Sequence, residues 1–353
     1  MITVLIVDDS VFMRTILKDI IGRDPEIEVL GTAVDGIDAL AKIERLEPDV
    51  VTLDIEMPRM NGIEVLQKIQ RSTFSKMPRI IMVSSLTSDG AEMTLKAIRL
   101  GASDFLLKPT DIRKVRAIEQ EITSKIKHLV ALQKTAPRVR ATRPAPEVTP
   151  KERVGAETVV LIGSSAGGPQ MLDSLLSMLP PDLGAGVVIT QHMPVGFTAA
   201  LAERFNRLCP MPVKETENGD RIDSNRVLLS KAGYHTIITN AQTTPGRVIG
   251  KVVHSSGQPL HGVKPAVDKT FVSASQIFGK RIVSVILSGM GSDGGVGMKA
   301  IRDAGGQTYV VLESECLVYG MARSALDHDA VMEVVPMRKM ADEITRAVRK
   351  IGG

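Results

Sequence analysis

Acidic residues follow two of the apolar runs in the first third of the chain. Asp8 and Asp9 come directly after Ile2–Val7, and Asp54 follows Val50–Leu53. If these runs are neighbouring parallel strands, their carboxyl ends meet at one edge of the sheet and the three carboxylates lie close together. Such carboxylates repel one another unless a cation intervenes, and a few oxygen ligands suit Mg²⁺, which keeps waters and shares a phosphate. The sequence therefore predicts a magnesium site.

Two more polar residues end the next apolar runs. Ser84 follows Ile80–Val83, and Lys108 follows Asp104–Leu107. A hydroxyl and an ammonium at the same sheet edge would help a cation neutralise a phosphoryl group carried on Asp54. Each residue taken singly has a structural explanation, such as a helix cap or a solvated loop charge. All five residues at one sheet edge favour a phosphorylation site.

A glycine-rich turn in the second half of the chain contains a candidate nucleophile. The strand pattern Val159–Gly163 continues into the segment 163–167, GSSAG, which fits G-x-S-x-G centred on Ser165. The glycines permit a sharp turn and close approach of a substrate, and the following helix start favours an oxyanion. The structural alternative is a turn that only caps the helix.

A nucleophilic serine needs a base, and the chain has six histidines. His192 directly follows the strand pattern Val187–Gln191, so it is expected at a carboxyl strand end, as Ser165 is. We expect the others in a terminal helix or linker, at surface positions of a turn-rich stretch or at a helix end. These others are His128, His235, His254, His261 and His328.

The base needs a carboxylate to orient it. Asp293 is the acid of a third strand-to-glycine turn, which follows Val283–Ser288. Asp268 and Asp303 are alternatives, but both lie in helical patterns that we expect one or more turns from a strand end. The order Ser, His, Asp differs from that of α/β-hydrolases, so the serine pattern does not predict that fold.

The same loop also fits a dinucleotide-binding pattern. Gly289, Gly291 and Gly294 match G-x-G-x-x-G, and Glu313 lies nineteen residues beyond the last glycine. Asp293 would place a negative charge where the pyrophosphate binds, and the loop is not in the first strand-to-helix turn of its domain. NAD binding is therefore the weaker interpretation.

Strand and helix patterns alternate on both sides of a proline-rich stretch. A length of 353 residues is enough for two domains, and residues 134–155 contain four prolines and hardly a large apolar side chain. We predict a domain over 1–127, an extended linker over 128–155 and a second domain over 156–353, against the alternative of one domain with a long surface loop. The first domain is predicted to be α/β with a doubly wound parallel sheet in the order 2-1-3-4-5. The second is predicted to be a doubly wound, mostly parallel α/β domain with a hairpin insertion at 213–256.

Composition excludes several function classes. The net charge is only +4, Trp is absent and aromatic residues make up 3% of the chain, so nothing favours nucleic-acid binding or a membrane surface. Cys209 and Cys316 have no metal-binding spacing and are expected to be buried, which fits a reducing compartment. With no apolar stretch of about 18 residues and no basic start before Ile2–Val7, we expect a cytoplasmic protein without membrane insertion.

Four stretches of the first domain resemble the signature of response-regulator receiver domains. They are Val7-Asp8-Asp9-Ser10, Leu53-Asp54-Ile55-Glu56-Met57-Pro58, Met82-Val83-Ser84-Ser85 and Phe105-Leu106-Leu107-Lys108-Pro109.

The receiver resemblance implies a flavodoxin-like fold and a histidine kinase as phosphodonor. It also implies that Asp54 is the phosphoacceptor and that Mg²⁺ binds at Asp9 and Asp54. Asp8 would contribute through water, and the Glu56 backbone carbonyl would complete the protein ligands. Phe105 occupies the family's aromatic switch position, beside the switch residues Ser84 and Lys108.

Four stretches of the second domain resemble the catalytic domain of CheB-type chemotaxis protein-glutamate methylesterases. They are the segments 162–168 (IGSSAGG), 189–194 (ITQHMP), 265–268 (PAVD) and 287–294 (LSGMGSDG). The resemblance implies Ser165 as nucleophile, His192 as base, Asp293 as orienting acid and the Met290 backbone N–H as oxyanion donor, without a cofactor. The family often has Ala-Ser-Thr at 164–166, where this chain has Ser-Ser-Ala. The spacing to the following glycines favours Ser165 over Ser164.

Together the two resemblances cover the chain and imply a phosphorylation-activated hydrolase. It would remove methyl esters from glutamates of chemoreceptors, and the same site is expected to deamidate receptor glutamines. The alternative is a response regulator whose second domain binds DNA. Residues 156–353 are long for a helix-turn-helix unit and alternate strand and helix throughout, which argues against it.

Overall fold

The chain forms two compact units, residues 1–135 and 136–353. Most of the predicted linker lies outside the described residues, so its boundaries stay a prediction. The computed structural model describes residues 1–84, 93–94, 96–98, 100–108, 115–131, 154–241 and 248–352.

The first unit is built on a five-stranded parallel sheet. Its strands are β1 (Ile2–Val7), β2 (Ile27–Ala33), β3 (Val50–Asp54), β4 (Arg79–Ser84) and β5 (Asp104–Leu107). Its labelled helices are α1 (Val11–Gly22), α2 (Gly36–Leu46), α3 (Gly62–Arg71) and α4 (Val115–Ala131). The strand order β2-β1-β3-β4-β5 confirms the predicted doubly wound sheet. All of β3 is buried, as expected for a central strand covered on both faces.

Side-chain caps fix where the first helices begin. Ser10 accepts a hydrogen bond from the Met13 N–H at the start of α1. Asn61 and Glu64 form a reciprocal capping box at the start of α3. Because these helices begin immediately after the loops that follow β1 and β3, the caps hold the acidic strand ends in place.

The second unit contains a seven-stranded parallel sheet in the order β14-β13-β12-β6-β7-β9-β8. The strands of the second unit are β6 (Val159–Ser164), β7 (Gly186–Gln191), β8 (Val213–Glu215), β9 (Arg226–Leu229), β10 (His235–Asn240), β11 (Gly250–Ser255), β12 (Ile282–Ile286), β13 (Gln307–Val311) and β14 (Glu333–Val335). Of these, β10 and β11 lie outside the seven-stranded sheet. Its helices are α5 (Gly168–Met178), α6 (Phe197–Leu208), α7 (Val267–Phe278), α8 (Gly295–Asp303), α9 (Gly320–Asp327) and α10 (Met337–Gly352), with a 3₁₀ turn at Glu313–Glu315.

The turn-rich stretch 213–256 is only partly the predicted hairpin insertion. β10 and β11 pair antiparallel and form a separate two-stranded sheet. β8 and β9 instead extend the main sheet, since β9 pairs in parallel with both β7 and β8. Local turn signals indicate where a strand ends but do not identify its partner, which here is a strand reached through a crossover.

Helices α7 and α8 pack closely against each other. A Cβ added at Gly297 would lie 2.6 Å from Phe271 Cβ, so this contact requires glycine. The close approach brings the starts of the two helices together, next to the carboxyl ends of the central strands. Cys209 and Cys316 are both buried, as predicted.

Within the described part of the chain, every helix is too short or too polar to cross a lipid bilayer.

Candidate hydrolytic and phosphorylation sites

Ser165 is the first residue after β6 and lies in a tight turn. Its N–H donates to the Ser288 carbonyl at 2.9 Å, and its own carbonyl accepts from the Gly168 N–H at 2.9 Å. The side chain is half-buried. Among the described residues, none forms a hydrogen bond with its hydroxyl, so the hydroxyl is available to a substrate.

The neighbouring serine is in a different environment. Ser164 is the last residue of β6 and is fully buried, and its Oγ donates to Gln191 Oε1 at 2.6 Å. The amide nitrogen of Gln191 donates to the carbonyls of Ser165, at 2.9 Å, and His192, at 3.0 Å. Gln191 therefore links the Ser165 turn to the histidine that follows β7.

His192 follows β7 as Ser165 follows β6, and the last residues of these strands, Ser164 and Gln191, are register partners. The His192 side chain is only 8% exposed, and its Nε2 lies 2.7 Å from Asp293 Oδ2. Since an ionised carboxylate only accepts hydrogen bonds, Nε2 carries the proton in this pair. Nδ1 is then the ring nitrogen that can accept a proton from a nucleophile.

Asp293 lies in the loop between β12 and α8 and is 1% exposed. Its Oδ2 also accepts from the Val267 N–H at 2.6 Å, and its Oδ1 accepts from the Asp268 N–H at 2.9 Å. Burial raises the pKa of Asp293, but the hydrogen bond and charge of His192 and the two N–H groups outweigh it. The net pKa lies below its ordinary value. An ionised Asp293 can hold the His192 ring in one tautomer and orientation.

The loop with the predicted oxyanion donor is held by a buried serine. Ser288 Oγ donates to the Ala166 carbonyl at 2.7 Å and accepts from the Val318 N–H at 2.9 Å. The Gly289 N–H donates a hydrogen bond to the Val318 carbonyl at 2.8 Å. The Met290 N–H donates to no group among the described residues, which leaves it available to a developing oxyanion.

The structure corrects one of the two sequence-based expectations about alternative acids. Asp268 lies in the first turn of α7 and contacts the Asp293 loop, where we expected it a turn or more away. Helical periodicity cannot show that the start of one helix packs against the loop before another. Asp303, the other alternative to Asp293, is the last residue of α8, lies at the surface and pairs with Lys299.

Two histidines of the turn-rich stretch also have defined partners. His235 is 2% exposed and contacts the Gln258 carbonyl and the Ala266 N–H, so its predicted surface position is wrong. His261 is exposed, but its Nε2 lies 3.0 Å from Asp268 Oδ2. The sequence signal for both was weak, because neither residue follows a strand.

The dinucleotide interpretation fails on the same contacts. The Gly294 and Gly297 N–H groups at the start of α8, which would have to bind a pyrophosphate, donate to Asp268 Oδ1 at 3.0 and 2.7 Å. A buried carboxylate already occupies this position.

In the first unit, carboxylates and an ammonium meet at the carboxyl edge of the sheet. Lys108 Nζ lies 2.6 Å from Asp54 Oδ2 and 3.0 Å from Asp8 Oδ2. Burial raises the pKa of Asp54 to about 6, and the negative charge of Asp8 adds to the rise, while the Lys108 contact opposes it. A cation at this edge would offset the cost of the buried charges.

These residues fit Mg²⁺. Carboxylate oxygens of Asp8, Asp9 and Asp54 all lie within 4.8 Å of one another. Asp8 Oδ2 is buried and makes no well-aligned hydrogen bond. The Glu56 N–H contacts Asp54 Oδ1 at 3.4 Å, and its peptide lies beside the cluster. An all-oxygen set with few protein ligands is the chemistry that Mg²⁺ prefers.

The predicted switch residues lie on the two strands beyond β3. Ser84 is buried at the end of β4, and its carbonyl accepts from the Lys108 N–H at 2.8 Å. Phe105 is half-buried on β5. Lys125 of α4 donates to the Phe105 carbonyl, and its Nζ lies 5.2 Å from the ring centroid. The sequence did not single out Lys125, because a lysine within a helix carries no distinguishing signal.

Comparison with known proteins agrees with this two-part organisation. A model of the response regulator receiver domain matches residues 4–119, and a model of the CheB methylesterase domain matches residues 160–344. The protein-glutamate methylesterase/protein-glutamine glutaminase 1 of Methanospirillum hungatei is 49% identical over the full length of both chains. The protein-glutamate methylesterase/protein-glutamine glutaminase of Pyrococcus abyssi is 40% identical over 100% of this chain and 95% of its own.

A solved structure gives the same result for the second unit. The crystal structure of the Thermotoga maritima CheB methylesterase catalytic domain is 31% identical, covers 54% of this chain and 97% of its own, and superimposes with a TM-score of 0.51. Receiver-linked methylesterases are thus the class that the fold defines. The chain belongs to the CheB methylesterase family and is an enzyme, so the DNA-binding alternative is wrong.

Proposed function

We propose that this enzyme hydrolyses glutamate γ-methyl esters of chemoreceptors through Ser165, His192 and Asp293, under control of phosphorylation at Asp54. The observation that carries the hydrolytic part is the 2.7 Å contact between His192 and Asp293, on the loops that follow β7 and β12. β6, which Ser165 follows, lies between these two strands. The names of the full-length relatives support methyl esters of protein glutamates as the substrate class and a second activity on protein glutamines.

In the proposed reaction, Ser165 Oγ attacks the ester carbonyl while His192 Nδ1 takes the hydroxyl proton. The Met290 N–H donates to the oxygen that becomes negatively charged. His192 then returns the proton to the leaving oxygen, which releases methanol and leaves an acyl-enzyme. Water attacks the acyl-enzyme while His192 takes its proton, and His192 then gives that proton to the departing Ser165 Oγ, which yields the glutamate carboxylate and free Ser165. A glutamine substrate would release ammonia in the same first step.

Asp293 stabilises the cation that forms on His192 during both transfers. Its carboxylate is fixed by three hydrogen-bond donors: the His192 ring and the first two N–H groups of α7. Because Nε2 is held by the carboxylate, Nδ1 is left as the ring nitrogen that would take the proton of Ser165.

The first domain would supply the control. A histidine kinase would donate the phosphoryl group to Asp54, with Mg²⁺ held by Asp9, Asp54 and the Glu56 carbonyl and with Asp8 acting through water. The cation would neutralise phosphoryl charge. Ser84 and Lys108 would then contact the phosphoryl oxygens, and Phe105 would change position. The domains 1–127 and 156–353 and the cytoplasmic location belong to this proposal.

Methanol release from methylated receptor membranes tests the proposal. The full-length protein should release methanol, faster with Mg²⁺ and a small-molecule phosphodonor than without, and Ser165→Ala should release none above background. A phosphodonor-independent rate would contradict the control by Asp54. Absence of release from the unmodified protein would contradict the substrate.

A further inference from the structure

Two helices beside the hydrolytic site exchange capping carboxylates. Neither α7 nor α8 has a capping side chain at its own N-cap residue, Ala266 or Gly294. Asp293, which precedes α8, accepts from the first two N–H groups of α7. Asp268, in the first turn of α7, accepts from the Gly294 and Gly297 N–H groups at the start of α8. Each helix start therefore depends on an acid from the other.

The carboxylates of Asp268 and Asp293 have similar surroundings. Both are buried, at 4% exposure for Asp268 and 1% for Asp293, and each accepts two N–H groups from a helix start. Each also contacts one imidazole, since His261 Nε2 lies 3.0 Å from Asp268 and His192 Nε2 lies 2.7 Å from Asp293. The molecule thus has a second histidine–aspartate pair directly beside the first.

Titratable groups on two loops face Asp268. They are His261 from the loop before α7 and Asp293 from the loop before α8, and Asp293 in turn contacts His192. Burial raises the pKa of Asp268, as does the charge of Asp293, whereas the Gly297 N–H and His261 oppose the rise. Like charges this close persist only because helix N–H groups and imidazoles surround them.

We propose that Asp268, held by His261, is a positioning residue of the hydrolytic site. It fixes the start of α8 and with it the loop of Asp293, and its negative charge lies beside the His192–Asp293 pair. The inference rests on the proposed function, since it assigns a role to a neighbour of the same site. Within the described residues, the side-chain hydrogen bonds of Asp268 join it to His261 and to the start of α8, and its N–H donates to Asp293, so it acts through Asp293.

The charge effect can be separated from the structural effect. In Asp268→Asn the amide oxygen still accepts from Gly294 and Gly297, so the caps remain while the charge is lost. The positive charge that forms on the His192–Asp293 pair during the reaction then loses a nearby negative charge. The acidic limb of kcat/KM against pH should move to lower pH by about 0.5–1 unit. Asp268→Ala also removes both caps and should reduce kcat at least about tenfold.

The test uses phosphorylated full-length protein and methylated receptor membranes between pH 5 and 9. Asp303→Asn is the matched control, because Asp303 is an exposed aspartate that ends the helix whose start Asp268 caps. Its profile should coincide with that of the unmodified protein. His261→Gln, which keeps a donor toward Asp268, should retain more activity than His261→Ala.

Two outcomes overturn the inference. If the Asp268→Asn profile coincides with the unmodified one, Asp268 has no electrostatic role. If the loss in Asp268→Ala equals the fraction of unfolded protein, measured by circular dichroism, the residue only stabilises the fold. Failure of the proposed function is distinguishable from both, because the unmodified protein would then release no methanol.

Discussion

The Gln191 amide nitrogen donates to the Ser165 carbonyl at 2.9 Å, and the same side chain accepts from Ser164 Oγ at 2.6 Å. One residue of β7 thus distinguishes the two adjacent serines. It engages the hydroxyl of the buried serine and only the backbone of the half-buried one. The doubled serine in the sequence therefore corresponds to two unlike environments.

Ser165→Ala should abolish methyl ester hydrolysis while leaving the fold intact. Loss of a nucleophile that acts with a base costs several powers of ten in rate. Ser164→Ala should retain most of the activity, because its hydroxyl contacts Gln191 and not the substrate space. The rate of methanol release at a saturating concentration of methylated receptor measures the activity of both variants. An active Ser165→Ala protein with an inactive Ser164→Ala protein would reverse the assignment.

Gln191→Leu should lower kcat about 10- to 100-fold with little change in KM. The substitution removes both amide hydrogen bonds to the Ser165 and His192 carbonyls and leaves Ser164 Oγ without its buried acceptor, which also costs about 1–3 kcal/mol of stability. Gln191→Glu keeps the volume and an acceptor for Ser164 but also lacks both amide donors, so its kcat should fall as well. Thermal unfolding and steady-state kinetics give the two effects separately. Full activity of Gln191→Leu would show that the linked turns do not position the reacting groups.

His192→Ala and Asp293→Asn should each reduce turnover strongly, and the double variant should be little worse than His192→Ala alone. The reason is that the carboxylate acts only through the imidazole it orients. Single-turnover acylation rates of the four proteins measure the coupling. Multiplicative losses in the double variant would indicate independent roles.

Without Mg²⁺, the first domain should lose stability as the pH rises from about 4 to about 6. The pKa of Asp54 is raised to about 6 from an ordinary 3.8, so the folded state binds its proton more tightly than the unfolded chain does. The resulting stability is fully present below the unfolded pKa and is lost as the pH rises through the folded pKa, with a change of about 2–3 kcal/mol.

Hydrogen exchange of β3 amides in EDTA measures this loss of stability. Asp54→Asn should show no such dependence and should be the more stable protein at pH 7 in EDTA. Saturating Mg²⁺ should restore stability to the unmodified protein and not to the variant. Stability that rises between pH 4 and 6 in the unmodified protein would contradict the sign of the pKa shift.

Residues at strand ends were the part of the site that the sequence could predict. His192 follows a continuous apolar run and Asp293 lies in a glycine-rich turn after another, and the parallel sheet brings them within 2.7 Å of each other. Asp268 was placed too far away, because its contact depends on how α7 packs against the start of α8. Gln191 carried no signal, since a polar residue at the end of a buried strand has no periodicity of its own.

The limits of the fold prediction have a similar origin. The alternation of strands and helices was sufficient for the sheet order of the first unit. β9 lies in the stretch 213–256 that was predicted as a hairpin insertion. That prediction used only local signals, namely short apolar runs and the turns beside them. The parallel partner of β9, which is β7, is set by the path of α6 and the intervening chain, which no local pattern describes.

We propose that phosphorylation of Asp54 relieves inhibition of a second domain that is chemically complete by itself. Ser165, His192 and Asp293 all follow residue 155, and the expected change in activity corresponds to an allosteric coupling of about 1–3 kcal/mol. The direct measurement compares methanol release by the 155–353 fragment, resting full-length protein and Asp54→Ala protein with phosphodonor. We predict that the fragment is faster than the resting protein and that the Asp54→Ala protein stays at the resting rate. A fragment no faster than the resting protein would contradict it, because the first domain would then have to contribute to catalysis.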